Sequence, residues 1–416
     1  MFSHIFKIKS YNFKSFSLSI VAIVLALGSV GIFLIQRLQD ADERQFEKQV
    51  LGYAIGLFAM AFVAMIDYHF ICKFAIPLYI LNLGLLLFTR FTDSTSGLPI
   101  YGKRHYKAKR WITFRKGTKE VIEFMPSELT KLIIIICLAV LLTKLQKNIK
   151  KFWVILLAGA MTAIPVLLVF MQPDLSTSIV IFLFFCIVLF VSGVSLKQIL
   201  PIILVAVPVV FFLIWYVQQD WQTLLDYYQQ KRILSLLNPT EYTDEMFQQN
   251  NAMLAIQAGG FFGKLLLGDL GPRLTDKVPV VESDFIFSAI GEEFGVFGMF
   301  LTIAGFLFFA LVGIRIARKA KDMLGCLLAI GITSLITIQA FVNMGVVISL
   351  LPNTGIPLPF VSSGLTALIS NLMTLGILLN VSMQPQGFVS ADDGEYNYRI
   401  TNRGSIPNDF NKIHFD

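Results

Sequence analysis

The residues with the clearest potential for chemistry, Ser283 and Asp284, stand where a long polar segment ends and an apolar run begins. A carboxylate at this junction can meet water and a membrane surface together, and it can act as a general base. The same two side chains could instead cap the following helix by accepting hydrogen bonds from its first N–H groups. The local sequence leaves both interpretations open.

Other ionisable residues border apolar runs elsewhere, among them Glu128 and Lys131. Ionisable groups inside a membrane usually pair with one another or line a cavity. Glu128 and Lys131 are three residues apart, so they share one face of a helix. The spacing therefore favours a structural ion pair between these two side chains.

The composition decides the class of protein. Of the 416 residues, 56% are hydrophobic and only 15% are charged, and the mean hydropathy is +0.71. A soluble chain cannot hide that much apolar surface in cores of ordinary size. The apolar residues form long uninterrupted runs, which suits helices in lipid, whereas a membrane β-barrel needs alternation. The sequence predicts an all-α polytopic membrane protein.

The four cysteines and four histidines are scattered along the chain. The cysteines lie in or beside apolar runs without paired spacing, which is typical of small buried hydrophobic residues. The pattern indicates neither a disulfide framework nor a zinc cluster, and it leaves the identity of any metal unknown.

Ten apolar runs are long enough to cross roughly 30 Å of hydrocarbon. They lie near residues 15–35, 49–67, 71–88, 127–145, 152–170, 176–193, 198–217, 285–314, 324–347 and 365–382. Lysine and arginine mark the connections 145–151, 193–198 and 315–323, which the positive-inside rule assigns to the cytoplasm together with both termini. We expect a single membrane domain over 1–384 and a polar cytoplasmic tail over 385–416.

Two extracytoplasmic loops are predicted, about 89–126 and about 218–283, the second being a large loop between spans seven and eight. The first carries nine lysine and arginine residues against three acidic residues. Because insertion disfavours cations on the outer side, they indicate an anionic partner, either a phosphate or diphosphate group or ordinary anionic headgroups. Trp111 beside Arg110 also fits an amphipathic segment that lies in the membrane interface.

Several short motifs follow one another in order. They are K-A-K-R-W-I at 107–112, P-S-E-L-T-K at 126–131, Q-P-D-L-S-T at 172–177, R-I at 232–233 with N-P at 238–239, A-I at 255–256 with G-G at 259–260, S-D-F-I-F at 283–287 after Pro279, and L-P-N-T-G-I-P-L-P-F-V-S-S-G at 351–364. In this order they resemble the SEDS family, the shape, elongation, division and sporulation proteins of the RodA, FtsW and SpoVE type. The chain departs from the family pattern at Lys107, Met125, Ser176, Val280 and Glu282.

The resemblance implies a peptidoglycan glycosyltransferase that polymerises lipid II at the outer face of the bacterial cytoplasmic membrane. It implies Asp284 as the catalytic carboxylate. The residues expected to bind the substrate or its diphosphate are Lys107, Lys109, Arg110, Trp111, Arg232, Ser362 and Ser363. The two serine hydroxyls could instead satisfy the exposed backbone of an irregular re-entrant segment over 352–364.

In such a reaction the 4-hydroxyl of an acceptor GlcNAc loses its proton while it attacks the anomeric carbon of a MurNAc linked to polyprenyl diphosphate. One carboxylate suffices because the diphosphate leaves as an anion. Charge compensation would come from basic side chains or from a divalent cation, Mg or Mn, and no other cofactor is expected. The expected partners are lipid II, membrane lipid and a class B penicillin-binding protein, and no nucleic acid.

Two other functions use the same features. A lipid II flippase would use the basic loop and the polar groups of the bundle, although the sequence shows no clear pair of matched broken helices. A non-catalytic scaffold would only recruit and position a penicillin-binding protein.

Overall fold

The computed structural model describes residues 11–38, 43–92, 99–105, 108–116, 119–219, 221–223, 227–238, 241–268 and 271–385. The described residues form fourteen α-helices. They are α1 (Leu18–Leu38), α2 (Glu43–Ala64), α3 (Tyr68–Lys73), α4 (Ala75–Phe91), α5 (Pro126–Lys144), α6 (Phe152–Phe170), α7 (Leu175–Val191), α8 (Leu196–Val217), α9 (Tyr227–Leu237), α10 (Thr243–Gly259), α11 (Gly263–Leu267), α12 (Ile286–Lys319), α13 (Met323–Val347) and α14 (Leu365–Ser382). Of the predicted tail, only Pro385 is described.

Ten of these helices correspond to the ten predicted spans. They are α1, α2, α4, α5, α6, α7, α8, α12, α13 and α14. Seven of them are at least 18 residues long and apolar enough to cross a membrane. Helices α4 and α7 are apolar and have 17 residues each, and α8 has 22 residues. The all-α polytopic fold predicted from the sequence is confirmed.

The two ends of the helix bundle can be told apart by the residues that meet there. At one end, which we call the terminal end, the Asn12 N–H donates to the Met383 carbonyl over 2.9 Å. At the other end, which we call the Asp284 end, Arg37 at the close of α1 pairs with Glu293 over 3.3 Å.

The basic segment between α4 and α5 forms a small antiparallel sheet at the Asp284 end, which the sequence did not predict. Its strands are β1 (Ile100–His105), β2 (Ala108–Lys116) and β3 (Lys119–Phe124), in the order β1-β2-β3. Aromatic and β-branched residues such as Trp111, Ile112 and Thr113 favour strand over helix here. Lys103 and Glu123 form an ion pair of 2.6 Å between the two outer strands.

Helix α12 is interrupted at Gly295, whose φ of +67° is non-helical. Glycine adopts this conformation without the steric penalty of a side chain. The short part before the break carries Glu292, which accepts hydrogen bonds from the N–H groups of Leu274 (2.7 Å) and Thr275 (2.8 Å) and pairs with Lys264 (2.6 Å). These bonds tie the polar segment before Asp284 to α12, so the start of α12 is held firmly in place.

Candidate active site

Asp284 lies two residues before α12, and its carboxylate does not cap that helix. The N-cap residue is Phe285, which has no side-chain cap bond. Among the described residues the carboxylate accepts a hydrogen bond from the Ser283 hydroxyl, with 2.6 Å between Ser283 Oγ and Asp284 Oδ1. The side chain is partly exposed. The carboxylate is therefore available for chemistry, and the capping interpretation does not hold.

The segment 352–364 folds back against the residues that precede Asp284. The Ser363 N–H donates to the Glu282 carbonyl over 2.8 Å. The Ser362 hydroxyl donates to the Ser283 carbonyl and accepts from the Leu358 N–H over 2.8 Å. The hydrogen of Ser362 Oγ is thus used within the protein, so this side chain stabilises the segment.

The same segment is irregular and enters the bundle. Phe360 is 2% exposed and Val361 is 0% exposed, and this stretch is not a helix. Two side chains of α2 bind its main chain, because Gln49 Nε2 donates to the Ser362 carbonyl over 3.1 Å and the Tyr53 hydroxyl donates to the Phe360 carbonyl. Irregular backbone at this depth is stable only where protein groups satisfy it.

Gly355 and Asn343 bring this segment onto Asp284. A Cβ atom added to Gly355 would lie 3.2 Å from Asp284 Oδ2 and 3.9 Å from Arg232 Nη1. Asn343 Nδ2 donates to the carbonyls of Asp284 and Ile356, each over 2.7 Å. The carboxylate, the glycine and the Arg232 guanidinium therefore meet at one point.

Two predicted phosphate ligands bind carbonyl groups of the protein itself. Arg110 donates to the carbonyls of Gln172 and Pro173, and its Nη1 lies 3.7 Å from Asp174 Oδ1. Lys109 Nζ donates to the Arg90 carbonyl over 3.0 Å. Lys109 thus lies at the C-terminal end of α4 and Arg110 at the turn that follows α6, where helices expose unpaired carbonyls.

Burial raises the pKa of Asp284 above its ordinary value. The hydrogen bond from Ser283 and the positive charges of Arg232 and Arg110 act in the opposite direction, and the negative charge of Glu282 adds to the rise. A raised pKa brings a carboxylate closer to the range in which a general base is most effective.

Comparison with known proteins decides the family. Residues 12–387 match the family model for cell cycle proteins of the FtsW, RodA and SpoVE type. The chain belongs to this family. It is the SEDS family indicated by the ordered motifs.

The relatives span nearly the whole chain. The chain is 34% identical to the probable peptidoglycan glycosyltransferase FtsW of Geobacter metallireducens over 92% of its own length and 98% of that protein. It is 29% identical to the peptidoglycan glycosyltransferase MrdB of Escherichia coli K12 over 87% of its length and 92% of that protein. A chain in the structure of a peptidoglycan synthase complex has the same fold, with a TM-score of 0.70 at 23% identity over 88% of this chain and 97% of that one.

Within this SEDS chain, the structure brings only some of the predicted site residues together. Asp284, Arg232, Ser362 and Ser363 come together around the segment 352–364. Arg110 acts on Asp284 through its charge and binds the turn before α7. In the first turn of α7, the Ser176 hydroxyl donates to the Thr354 carbonyl.

The remaining predicted residues lie elsewhere. Trp111 is in β2 and partly buried, and Lys107 lies outside the described residues. Glu128 and Lys131 are buried on α5, with 2.8 Å between Lys131 Nζ and Glu128 Oε2.

The sequence analysis overlooked Asn343, the residue that binds both Asp284 and the re-entrant segment. It is an amide within an otherwise apolar span, and polar residues at such positions are retained for packing or function. This polar residue within an apolar span could have been singled out from the sequence, but the bonds of Asn343 to Asp284 and Ile356 depend on the fold.

Proposed function

We propose that this protein is a peptidoglycan glycosyltransferase that polymerises lipid II, with Asp284 as the general base. The observation that supports this most strongly is the Asp284 carboxylate itself, which is free of helix capping, partly exposed, and acted on by the charges of Arg232 and Arg110. Relatives that cover almost the whole chain are named peptidoglycan glycosyltransferases.

One carboxylate suffices for the proposed glycosyl transfer. Asp284 takes the proton of the acceptor 4-hydroxyl, and the oxygen forms a bond to the anomeric carbon of the donor sugar. The bond from that carbon to the diphosphate oxygen breaks, and its electron pair leaves with the diphosphate. Attack on the face opposite an α-linked leaving group gives a β-1,4 bond. The diphosphate needs no second acid because it is a stable anion.

We propose that guanidinium groups compensate the charge of the leaving diphosphate. Arg232 is the better candidate because its guanidinium lies beside Gly355 and Asp284. Arginine suits phosphate because its planar fork donates two parallel hydrogen bonds. We propose Lys109, Trp111 and Ser363 only as secondary contacts.

The described residues do not build a metal site from protein ligands alone. No group of three His, Cys, Asp or Glu side chains within the described ranges could hold a metal ion. A divalent cation at phosphate groups takes most of its ligands from the phosphates and water. No step of the proposed reaction depends on a divalent cation. Addition of a chelator to the polymerisation assay tests whether the reaction needs one.

We propose that the Asp284 end faces the outside of the cell and the terminal end faces the cytoplasm. At the terminal end, Lys147, Lys150 and Lys151 follow α5, and Arg318 and Lys319 lie in the last turn of α12. The positive-inside rule places these cations in the cytoplasm. We also propose a class B penicillin-binding protein as the partner, because a chain of similar fold occurs in a peptidoglycan synthase complex.

Purified protein mixed with lipid II in detergent tests the function directly. We expect glycan strands to form, because polymerisation needs no second membrane compartment. A flippase or a scaffold would yield no polymer under these conditions. Movement of lipid II across proteoliposomes without any polymer would contradict the proposal and support the flippase.

A further inference from the structure

We propose that Asn343 is a positioning residue for the reaction, and that it acts by holding the main chain of Asp284 against the re-entrant segment 352–364. The inference rests on the proposed function, in which Asp284 is the general base.

The Asn343 amide joins three parts of the chain through one nitrogen atom. Its Nδ2 lies 2.7 Å from the Asp284 carbonyl oxygen and 2.7 Å from the Ile356 carbonyl oxygen. The two acceptors are 59 and 13 residues away in sequence. Both amide hydrogens are therefore used, one on the residue that carries the carboxylate and one on the segment that covers it.

The chemistry of this contact restricts the residue type. Asparagine and glutamine provide two hydrogens on one neutral nitrogen, while serine provides one hydrogen and an ionised aspartate provides none. Glutamine is longer by one methylene group, so its nitrogen would be displaced from a site fitted to asparagine. At 1% exposure the side chain has no water with which to replace a lost bond.

The two hydrogen bonds of Asn343 fix the separation between Gly355 and the Asp284 carboxylate. Ile356 follows Gly355, and a Cβ atom added at Gly355 would lie 3.2 Å from Asp284 Oδ2. When one amide holds the Ile356 and Asp284 carbonyls, Gly355 and the carboxylate cannot drift apart. A displacement of about 1 Å at a reacting group can lower the rate on the order of 100-fold.

The amide of Asn343 also keeps an unsatisfied atom. Its Oδ1 is buried without a hydrogen-bond partner among the described residues. An orphaned buried acceptor is unfavourable by about 1–3 kcal/mol, and an apolar side chain of the same size would avoid it. The residue therefore suits the two donated bonds better than it suits simple packing.

The test compares two Asn343 variants with a matched control on the same helix. Asn343→Leu removes both bonds and keeps the branched shape and the number of heavy atoms, and Asn343→Ser keeps at most one donor. Gln339→Leu is the control, because Gln339 lies one turn away on the same face of α13, is 2% exposed, and also has a buried oxygen without a partner. Purified variants are assayed for melting temperature and for kcat and KM with lipid II.

We expect Asn343→Leu and Asn343→Ser to lower kcat at least about 10-fold, with KM within about twofold of the wild-type value. Gln339→Leu should keep the wild-type kcat. A wild-type kcat in either Asn343 variant, or an equal loss in Gln339→Leu, overturns the inference. If Asn343→Leu does not fold, Asn343→Ser decides by the same criterion. An active Asp284→Asn variant would instead remove Asp284 from its proposed role as the general base, so the two failures are distinct.

Discussion

The Asp284 carboxylate lies beside the place where a side chain at Gly355 would begin, although 71 residues separate the two in the chain. A methyl group added at Gly355 would come within 3.2 Å of Asp284 Oδ2. Gly355 also has a φ of +69°, a conformation that L-residues with a side chain rarely adopt. The glycine thus allows an irregular turn to lie against the carboxylate without displacing it.

Replacement of Gly355 by alanine should therefore cause a large loss of activity and only a small loss of stability. The positive φ alone would destabilise the protein by roughly 1–2 kcal/mol. The added methyl would also push on the carboxylate, and we expect kcat to fall about 10-fold to 100-fold. Melting temperature and lipid II polymerisation by the purified variant measure the two effects separately.

The control is Gly268→Ala, because Gly268 has the same φ of +69° and a Cβ atom there would meet nothing within 4 Å. It should lose similar stability and keep its activity. Equal activity of the two variants would show that the contact between Gly355 and Asp284 does not matter for catalysis.

The pH dependence of the reaction should report the charges around Asp284. A general base must be ionised, so the rate rises with pH through its pKa, and burial places that pKa above the ordinary value for aspartate. Arg232→Gln removes a positive charge, which should raise the pKa and move the acid limb to higher pH. Glu282→Gln removes a negative charge, which should move the limb to lower pH. Shifts in the same direction in both variants would contradict this assignment.

The ten spans could be predicted from the sequence, because apolar runs are properties of short stretches. The local motif around Asp284 likewise led to its assignment as the catalytic carboxylate, which stays a prediction. The sheet over β1–β3 was not predicted, because in β2 a block of aromatic and β-branched residues stands between cations and tertiary contacts decide the outcome. Nor did the sequence predict that Arg110 and Lys109 bind carbonyls at helix ends. Those contacts join residues up to 63 positions apart, and only the fold brings them together.

The buried pair of Glu128 and Lys131 gives a prediction about stability. Lys131→Met leaves the Glu128 carboxylate buried without its partner, which should destabilise the protein by about 3–5 kcal/mol. The double variant Glu128→Gln, Lys131→Met removes both charges and should recover most of that loss. Thermal unfolding in detergent measures both. A double variant no more stable than Lys131→Met would show that the pair is not a structural unit.

His69 at the terminal end gives a prediction about pH. Its Nδ1 lies 2.9 Å from Asp67 Oδ1, its Nε2 lies 2.6 Å from Asp322 Oδ2, and its ring stacks on Tyr68. Burial lowers the pKa of His69, but the two carboxylates outweigh it and raise the pKa from 6.5 to about 9. This shift corresponds to on the order of 3 kcal/mol of stability.

Because the folded-state pKa is raised, that stability is fully present below pH 6.5 and is lost as pH rises through about 9. The melting temperature of His69→Gln should therefore lie below that of the wild type at pH 6, and the two should converge towards pH 10. A constant difference across this range would mean that the histidine is not charged in the folded protein.

The most direct measurement is glycan-strand synthesis from lipid II by purified protein with and without the Asp284→Asn substitution. The amide keeps the size of the side chain but cannot accept a proton, so synthesis should fall by about 100-fold to 10,000-fold, with an unchanged melting temperature. Asp276→Asn, which alters an exposed aspartate on the same segment, should retain full synthesis. Undiminished polymer from Asp284→Asn would contradict the role of this carboxylate as the general base.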